Sequence, residues 1–243
     1  MSEKTKRKTR ISWADPESNK KIQLGNHYKF RTEKTGHFFT HGSLTEKTRF
    51  VWVCFHGYGS LAKYFIQKFE LLDPELHFVV VPEGLNRFYF EGLNERPVAS
   101  WMTKEDRLDE IADYVEMIER LRKKLNWDHN PDVQVIYLGF SQGVSTLIRW
   151  MTNIHPRCNH LILWAGSIPE DILLEPHQSY FGSISSHYFI GKSDPYYKVE
   201  RSTDIELLLK QAGMLTQLQW FDGEHKIVDA VLQQWVEKYL INK

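Results

Sequence analysis

The chain has 243 residues, 42% of them apolar and 26% charged, which suits one large domain or two small ones and is long enough to bury a core without staples. Its 31 basic and 31 acidic residues cancel, so no global field recruits nucleic acid or an acidic membrane. Two unpatterned cysteines, Cys54 and Cys158, make neither a disulfide framework nor a zinc site, and no apolar run approaches the length of a membrane span.

The first 25 residues are polar, with a local basic run "KTKRKTR" (Lys4 to Arg10) that reads as a solvated terminus. No secretory signal pattern opens the chain, and the expected location is the cytoplasm. Residues 26–243 are expected to form a single domain. "HYKFRT" (His27 to Thr32) and "GHFFTHG" (Gly36 to Gly42) predict two short strands around a turn at Lys34 to Gly36. "RFVWVCF" (Arg49 to Phe55) predicts a strand, "LAKYFIQKFELL" (Leu61 to Leu72) a helix, and "HFVVV" (His77 to Val81) a strand stopped by Pro82. Unbroken apolar strands of this length are what a parallel sheet covered on both faces requires.

The clearest helix spans Lys104 to Leu125. Its apolar residues Leu108, Ile111, Ala112, Val115, Ile118, Leu121 and Leu125 recur in steps of three and four. Thr103 and Asp106 fit a capping box, with acids crowding the start and "RLRKK" the end, as the helix dipole favours. "VQVIYL" (Val133 to Leu138) and "LILWA" (Leu161 to Ala165) predict strands on either side of a helix ending near Asn153. An irregular stretch then runs to Ser186. "HYFI" (His187 to Ile190) predicts a strand, Val199 to Ala212 a helix, "LTQLQWF" (Leu215 to Phe221) an edge strand, and "KIVDAVLQQWVEKYL" (Lys226 to Leu240) the terminal helix. Strand and helix alternate without an internal repeat, so the fold class is α/β with a mostly parallel sheet of about 7–8 strands and helices on both faces.

One stretch departs from ordinary patterning. In "VIYLGFSQGVSTLIRW" (Val135 to Trp150) an apolar strand breaks at Ser141, flanked by Gly139 and Gly143, and resumes at helical spacing. A buried strand that turns directly into a helix forces the turning residue into a strained conformation. Neighbours two positions away are pressed against adjacent backbone and favour having no Cβ. The hydroxyl is thereby presented at the carboxyl edge of the sheet, beside the unpaired N–H groups of a helix start. Ser141 is the candidate nucleophile.

A serine hydroxyl needs a base, an acid to orient it, and an oxyanion hole. On a strand–serine–helix turn the partners follow in the order serine, acid, histidine. Of the five downstream histidines, His225 in "FDGEHKI" sits between the last strand and the last helix, at the same sheet edge. Asp194 in "GKSDP" follows a strand in the same way. Asp222 and Glu224 are crowded against His225 in sequence, and Asp171 is a more distant alternative. The oxyanion donors are assigned to the main-chain N–H groups of Gln142, directly after the serine, and Tyr58 in "FHGYGS". His56 is assigned to holding that loop rather than to acting as base. "THGS" (Thr40 to Ser43) repeats His-Gly in the N-terminal hairpin and is set aside.

The motifs "HGYGS", "GFSQGV", "GKSDPYY" and "GEHKI", in that order, together with "ASWM" (Ala99 to Met102), resemble the α/β-hydrolase superfamily. The likeness is to its carboxylesterase, phospholipase and acyl-protein thioesterase branch, from about Arg49 to the C-terminus. Val144 and Ser60-Leu61 depart from the common pattern. The resemblance implies an α/β-hydrolase fold, with Ser141, Asp194 and His225 as nucleophile, acid and base, and Tyr58 and Gln142 supplying oxyanion amides.

The expected activity is hydrolysis of carboxylic esters or thioesters of small to medium acyl groups through an acyl-enzyme on Ser141. Turnover is expected to fall at acid pH as the base protonates. The aromatic-rich segment "NRFYFEGLNERPVASWM" (Asn86 to Met102), which contains Trp101, and Trp164, Tyr196 and Tyr197 near predicted strand ends are candidates for an apolar acyl pocket. About twenty residues separate Trp164 from His187, too few for a large lid. The alternatives are a non-catalytic ligand- or partner-binding protein of the same fold, or a serine peptidase. No cofactor, metal or nucleic-acid partner is called for; the expected partner is a small-molecule substrate.

Overall fold

The computed structural model describes residues 25–92, 96–197, 202–216 and 218–241. The basic run at Lys4 to Arg10 and the expected helix start at Val199 lie outside the described residues. The chain divides into two compact units, residues 1–34 and 35–243. In the first unit, residues 25–34 carry no regular structure, so the strand expected at His27 to Thr32 is not formed. Two alternate aromatics make too short an apolar face to drive burial there: Tyr28 and Phe30 are 80% and 89% exposed.

The second unit is built on a seven-stranded sheet. In chain order its strands are β1 (Phe38–His41), β2 (Phe50–Phe55), β3 (His77–Pro82), β6 (Gln134–Phe140), β7 (His160–Trp164), β8 (Ser185–Gly191) and β9 (Leu218–Phe221). The spatial order is β1-β3-β2-β6-β7-β8-β9. Only β1 runs antiparallel; every other neighbouring pair is parallel. A separate antiparallel pair, β4 (Asn86–Tyr89) and β5 (Pro97–Ser100), arises from the aromatic-rich segment that carried no strand expectation.

The period-two alternation of β2 divides the interior into two cores. Val51, Val53 and Phe55 point to one face, under α2 (Arg107–Leu125), α3 (Gln142–Ile154) and α5 (Ser202–Gln211). Trp52 and Cys54 point to the other, under α1 (Ala62–Phe65) and α6 (Asp229–Val236). Each of these side chains is fully buried, which stabilises the fold by roughly 1.5–3 kcal/mol apiece for the larger ones. Helices thus cover both faces of a mostly parallel sheet, as its apolar strands require.

Local details differ from the sequence expectations. Only the first turns of Leu61 to Leu72 are helical: α1 tightens into a 3₁₀ turn at Ile66–Phe69. In α2 the fully or nearly buried residues are Tyr114, Ile118 and Leu121, while Leu108 is 72% exposed, because the first turn projects beyond the sheet-facing stripe. Asp106 adopts a left-handed φ of 44° with no side-chain cap; Thr103 pairs instead with Glu110, which accepts from the Thr103 N–H and, at 3.2 Å, from its hydroxyl. The stretch before β8 holds a short helix, α4 (Gln178–Gly182). Among the described residues no helix is long and apolar enough to cross a membrane.

Candidate active site

The turn at Ser141 joins β6 to α3. Ser141 has φ 55° and ψ −121°, a conformation that costs a non-glycine residue free energy and persists only where its surroundings hold it. Its N–H donates to Trp164 O at 2.9 Å, tying the turn to the end of β7. The flanking glycines have steric causes. A Cβ at Gly139 would lie 2.7 Å from Val144 Cα, and one at Gly143 would lie 2.2 Å from Phe55 O. Helix and strand can meet this closely only without those two side chains.

Two loops at the same sheet edge bring His225 and Asp194 to Ser141. His225 Nδ1 donates to Asp194 Oδ2 at 2.7 Å, and Ser141 Oγ lies 2.9 Å from His225 Nε2. With the proton of the neutral imidazole on Nδ1 by virtue of the carboxylate, Nε2 carries the lone pair and accepts from the serine hydroxyl. Asp194 is 4% exposed, and its second oxygen accepts from the Tyr196 N–H at 2.9 Å. Both carboxylate oxygens are therefore satisfied, which a buried charge requires. The imidazole sits between Phe140 and Tyr196, at ring-centroid distances of 5.1 and 4.8 Å.

The loops carrying the acid and the histidine are stitched together. Lys192 N–H donates to Phe221 O and Ser193 N–H to Gly223 O, each at 2.9 Å. Asp222 and Glu224 point away from this arrangement into contacts with Lys192 and Lys226. Asp171 is used elsewhere too: its carboxylate bridges Arg107 and Arg149, the latter at 2.7 Å.

Tyr58 and Gln142 flank the serine. Among the described residues neither main-chain N–H has an acceptor. The Gln142 side chain is pinned by the segment after β5: its Oε1 accepts from the Trp101 N–H at 3.1 Å and its Nε2 donates to Met102 O at 2.8 Å. His56 is fully buried. Its Nε2 accepts from the Gly84 N–H at 3.0 Å and its Nδ1 donates to Gly57 O at 2.8 Å. Burial lowers its pKa to about 4, so the ring is neutral and serves as a brace for the loop.

A cavity of about 740 Å³ opens over Ser141 and His225. Its lining includes Tyr58, Phe90, Val98, Ala165, Tyr196 and Tyr197. Tyr58, Phe88 and Phe90 are in mutual ring contact, with centroids 5.3–6.4 Å apart, and Tyr58 and Phe90 are more than half exposed.

Of the side chains expected in the pocket, Tyr196 and Tyr197 line it; Trp101 and Trp164 do not. Both indoles are fully buried in the two cores. The reason is their N–H groups, which find acceptors inward: Trp101 Nε1 donates to His56 O at 2.8 Å and Trp164 Nε1 to Lys226 O at 3.0 Å. Position at a strand end placed them near the site, but their indoles brace its loops from beneath. Phe90, from the aromatic-rich segment, also lines the cavity as expected; the buried carboxylate of Glu83 was not anticipated. The signal for Glu83 was available: an acid placed just beyond the carboxyl end of an apolar strand, as Asp194 is.

Strand order, the strained serine turn and the surrounding loops define the α/β-hydrolase fold. Solved structures of that fold are similar to this chain. The acyl-protein thioesterase 2 of Zea mays shares 16% identity at a TM-score of 0.62, covering 85% of this chain and 97% of its own. A phospholipase/carboxylesterase from Dyadobacter fermentans shares 17% at 0.60, covering 87% and 99%. A carboxylesterase from Mesorhizobium loti shares 18% at 0.58, covering 77% and 88%. At these identities the likeness establishes the fold. No curated protein matches the chain in sequence. A model of the serine hydrolase (FSH1) family matches residues 45–230, and the chain belongs to that family.

Proposed function

We propose that this serine hydrolase cleaves carboxylic esters or thioesters of small to medium acyl groups through an acyl-enzyme on Ser141. The observation that carries the proposal is the unbroken hydrogen-bonded chain Asp194–His225–Ser141 at the floor of an open, aromatic-walled cavity.

In this reading Ser141 Oγ attacks the acyl carbonyl as its proton passes to His225 Nε2. The negative charge that develops on the carbonyl oxygen is stabilised by the N–H groups of Tyr58 and Gln142, each such donor being worth roughly 3–4 kcal/mol. The imidazolium gives its proton to the leaving alkoxide or thiolate. The neutral imidazole so formed deprotonates the water that attacks the acyl-enzyme and then returns that proton to Ser141 Oγ as the acid leaves. Asp194 holds the Nδ1–H tautomer and stabilises the imidazolium without taking its proton. Esters and thioesters suit the site because exposed rings in the cavity lining offer apolar contact along a short chain.

The test is hydrolysis of p-nitrophenyl acetate, butyrate, octanoate and laurate beside Ser141→Ala. Turnover abolished in the variant, with an optimum at the shorter chains, is the expected result. Equal rates for the two proteins would remove Ser141 from the chemistry.

A further inference from the structure

Among the described residues two carboxylates are buried, Asp194 and Glu83. The first faces His225; the second lies on the opposite side of the serine, directly after β3, and takes no part in the proton transfers above. A buried carboxylate is costly unless it is paired and hydrogen-bonded. The partners of Glu83 all belong to the structure around the Tyr58 loop.

Glu83 is 2% exposed. Its Oε2 accepts from the N–H of Ala62, the first residue of α1, at 3.0 Å. Its Oε1 accepts from Arg87 Nε at 2.7 Å and Nη2 at 2.5 Å. The next residue, Gly84, donates its N–H to His56 Nε2. The two-residue segment Glu83-Gly84 therefore grips the loop between His56 and Ala62 at both ends. Its middle is held from the other side, where Gly59 N–H donates to Ala99 O at 3.0 Å and Ala99 N–H donates to Ser60 O at 3.1 Å. Tyr58, between these anchors, keeps its N–H unused.

We propose that Glu83 is a positioning residue for the oxyanion-binding loop. Held in place by Arg87, its carboxylate fixes Ala62 and thereby the aim of the Tyr58 N–H at the developing oxyanion. The inference rests on the reading of Tyr58 as an oxyanion donor. A donor of this kind acts only on the charge that appears in the transition state, and a shift of about 1 Å can cost on the order of 100-fold in rate. Loss of Glu83 should therefore lower kcat and leave KM nearly unchanged.

The experiment measures kcat and KM on p-nitrophenyl butyrate for the wild type, E83A, E83Q and the double variant E83Q/R87M. Each kcat is divided by the fraction of Ser141 that takes up a fluorophosphonate, which removes the effect of misfolded protein. In E83A, kcat per reactive serine is expected to fall 10–100-fold with KM within about twofold. E83Q, whose single amide oxygen faces two donors, should also be impaired. In E83Q/R87M that oxygen is left to Ala62 alone, and kcat should return to within about threefold of the wild type.

Should E83A fold poorly, the near-isosteric pair E83Q and E83Q/R87M carries the comparison. A lowered Tm with kcat per reactive serine unchanged in E83A or E83Q overturns the proposal, leaving Glu83 a structural residue. So does a double variant no faster than E83Q. A wild-type protein that neither turns over ester nor takes up fluorophosphonate at Ser141 overturns the hydrolytic reading, and this inference with it.

Discussion

The indole N–H of Trp164, at the end of β7, donates to the main-chain oxygen of Lys226, the residue after His225, at 3.0 Å and across 62 residues of sequence. Trp101 does the same on the other side of the serine, donating to His56 O at 2.8 Å. The loop that carries Tyr58 and the loop that carries His225 thus each rest on a buried tryptophan that does not line the cavity. Replacing either indole by phenyl keeps most of the packing and removes the donor. Trp101→Phe and Trp164→Phe should each destabilise the protein by roughly 1–3 kcal/mol, from the carbonyl left unpaired. They should lower kcat without moving the preferred chain length. The ester panel, run beside urea denaturation, checks both; a shifted chain-length optimum would return the residue to the pocket wall.

Gly143 offers a second test. A Cβ there would lie 2.2 Å from Phe55 O, a backbone atom that no rotamer change can move. Gly143→Ala should force the start of α3 away from β2, costing roughly 1–3 kcal/mol and displacing the Gln142 N–H. Both Tm and kcat should drop, whereas alanine at an exposed helix position would be neutral or favourable. Wild-type Tm and kcat together would show that the contact is relieved more cheaply than the backbone geometry allows.

The exposed aromatic wall should set acyl preference. Phe90 lines the cavity, is 57% exposed and packs against Tyr58. Phe90→Ala should reduce kcat/KM for octanoate several-fold more than for acetate, because only the longer chain reaches the ring. Equal losses for both esters would place the acyl chain away from Phe90.

Stability should decline on mild acidification. His56 and His77 are both buried, and burial lowers the pKa of each from 6.5 to about 4. Each also accepts an N–H hydrogen bond, His56 from Gly84 and His77 from the Trp52 indole at 3.0 Å, which protonation would abolish. Above pH 6.5 both histidines are neutral in the folded and unfolded chains, and their contribution is complete. Between pH 6.5 and about 4 the unfolded chain binds protons that the folded chain refuses, so stability falls with pH. The loss approaches about 3 kcal/mol for the fully buried His56. Urea midpoints at pH 7.5, 6 and 4.5 read it directly, and His77→Gln should show a shallower decline. Midpoints that stay level across this range would mean that both rings accept a proton without breaking their contacts.

The central sheet and its two cores were legible along the chain. Unbroken strands such as "FVWVCF" have no polar face, so they fit only a sheet covered on both sides, and that dictates helices above and below. The candidate nucleophile was equally plain, since two residues without Cβ around a serine, between strand and helix, answer to one backbone geometry. His225 and Asp194 were placed by the same logic: both follow strands of a parallel sheet, whose carboxyl ends share one edge. What that logic left open was which of several nearby acids meets the imidazole. Asp171, Asp222 and Glu224 are excluded by contacts made elsewhere, and contacts between distant residues have no periodicity to read.

The tryptophans mark the same boundary. An indole at a strand end can turn toward the cavity or beneath it. The sequence specifies its presence and apolar bulk, while the direction depends on which buried carbonyl, His56 O or Lys226 O, lies within reach of the N–H. Glu83 follows the same rule, since its role comes from Ala62, Arg87 and His56, which chain order places up to 27 residues away. Local backbone preference and burial periodicity are properties of short segments and are written in the sequence of those segments. The pairing of buried polar groups is decided only when segments meet, because each donor must then find an acceptor among atoms the rest of the chain supplies.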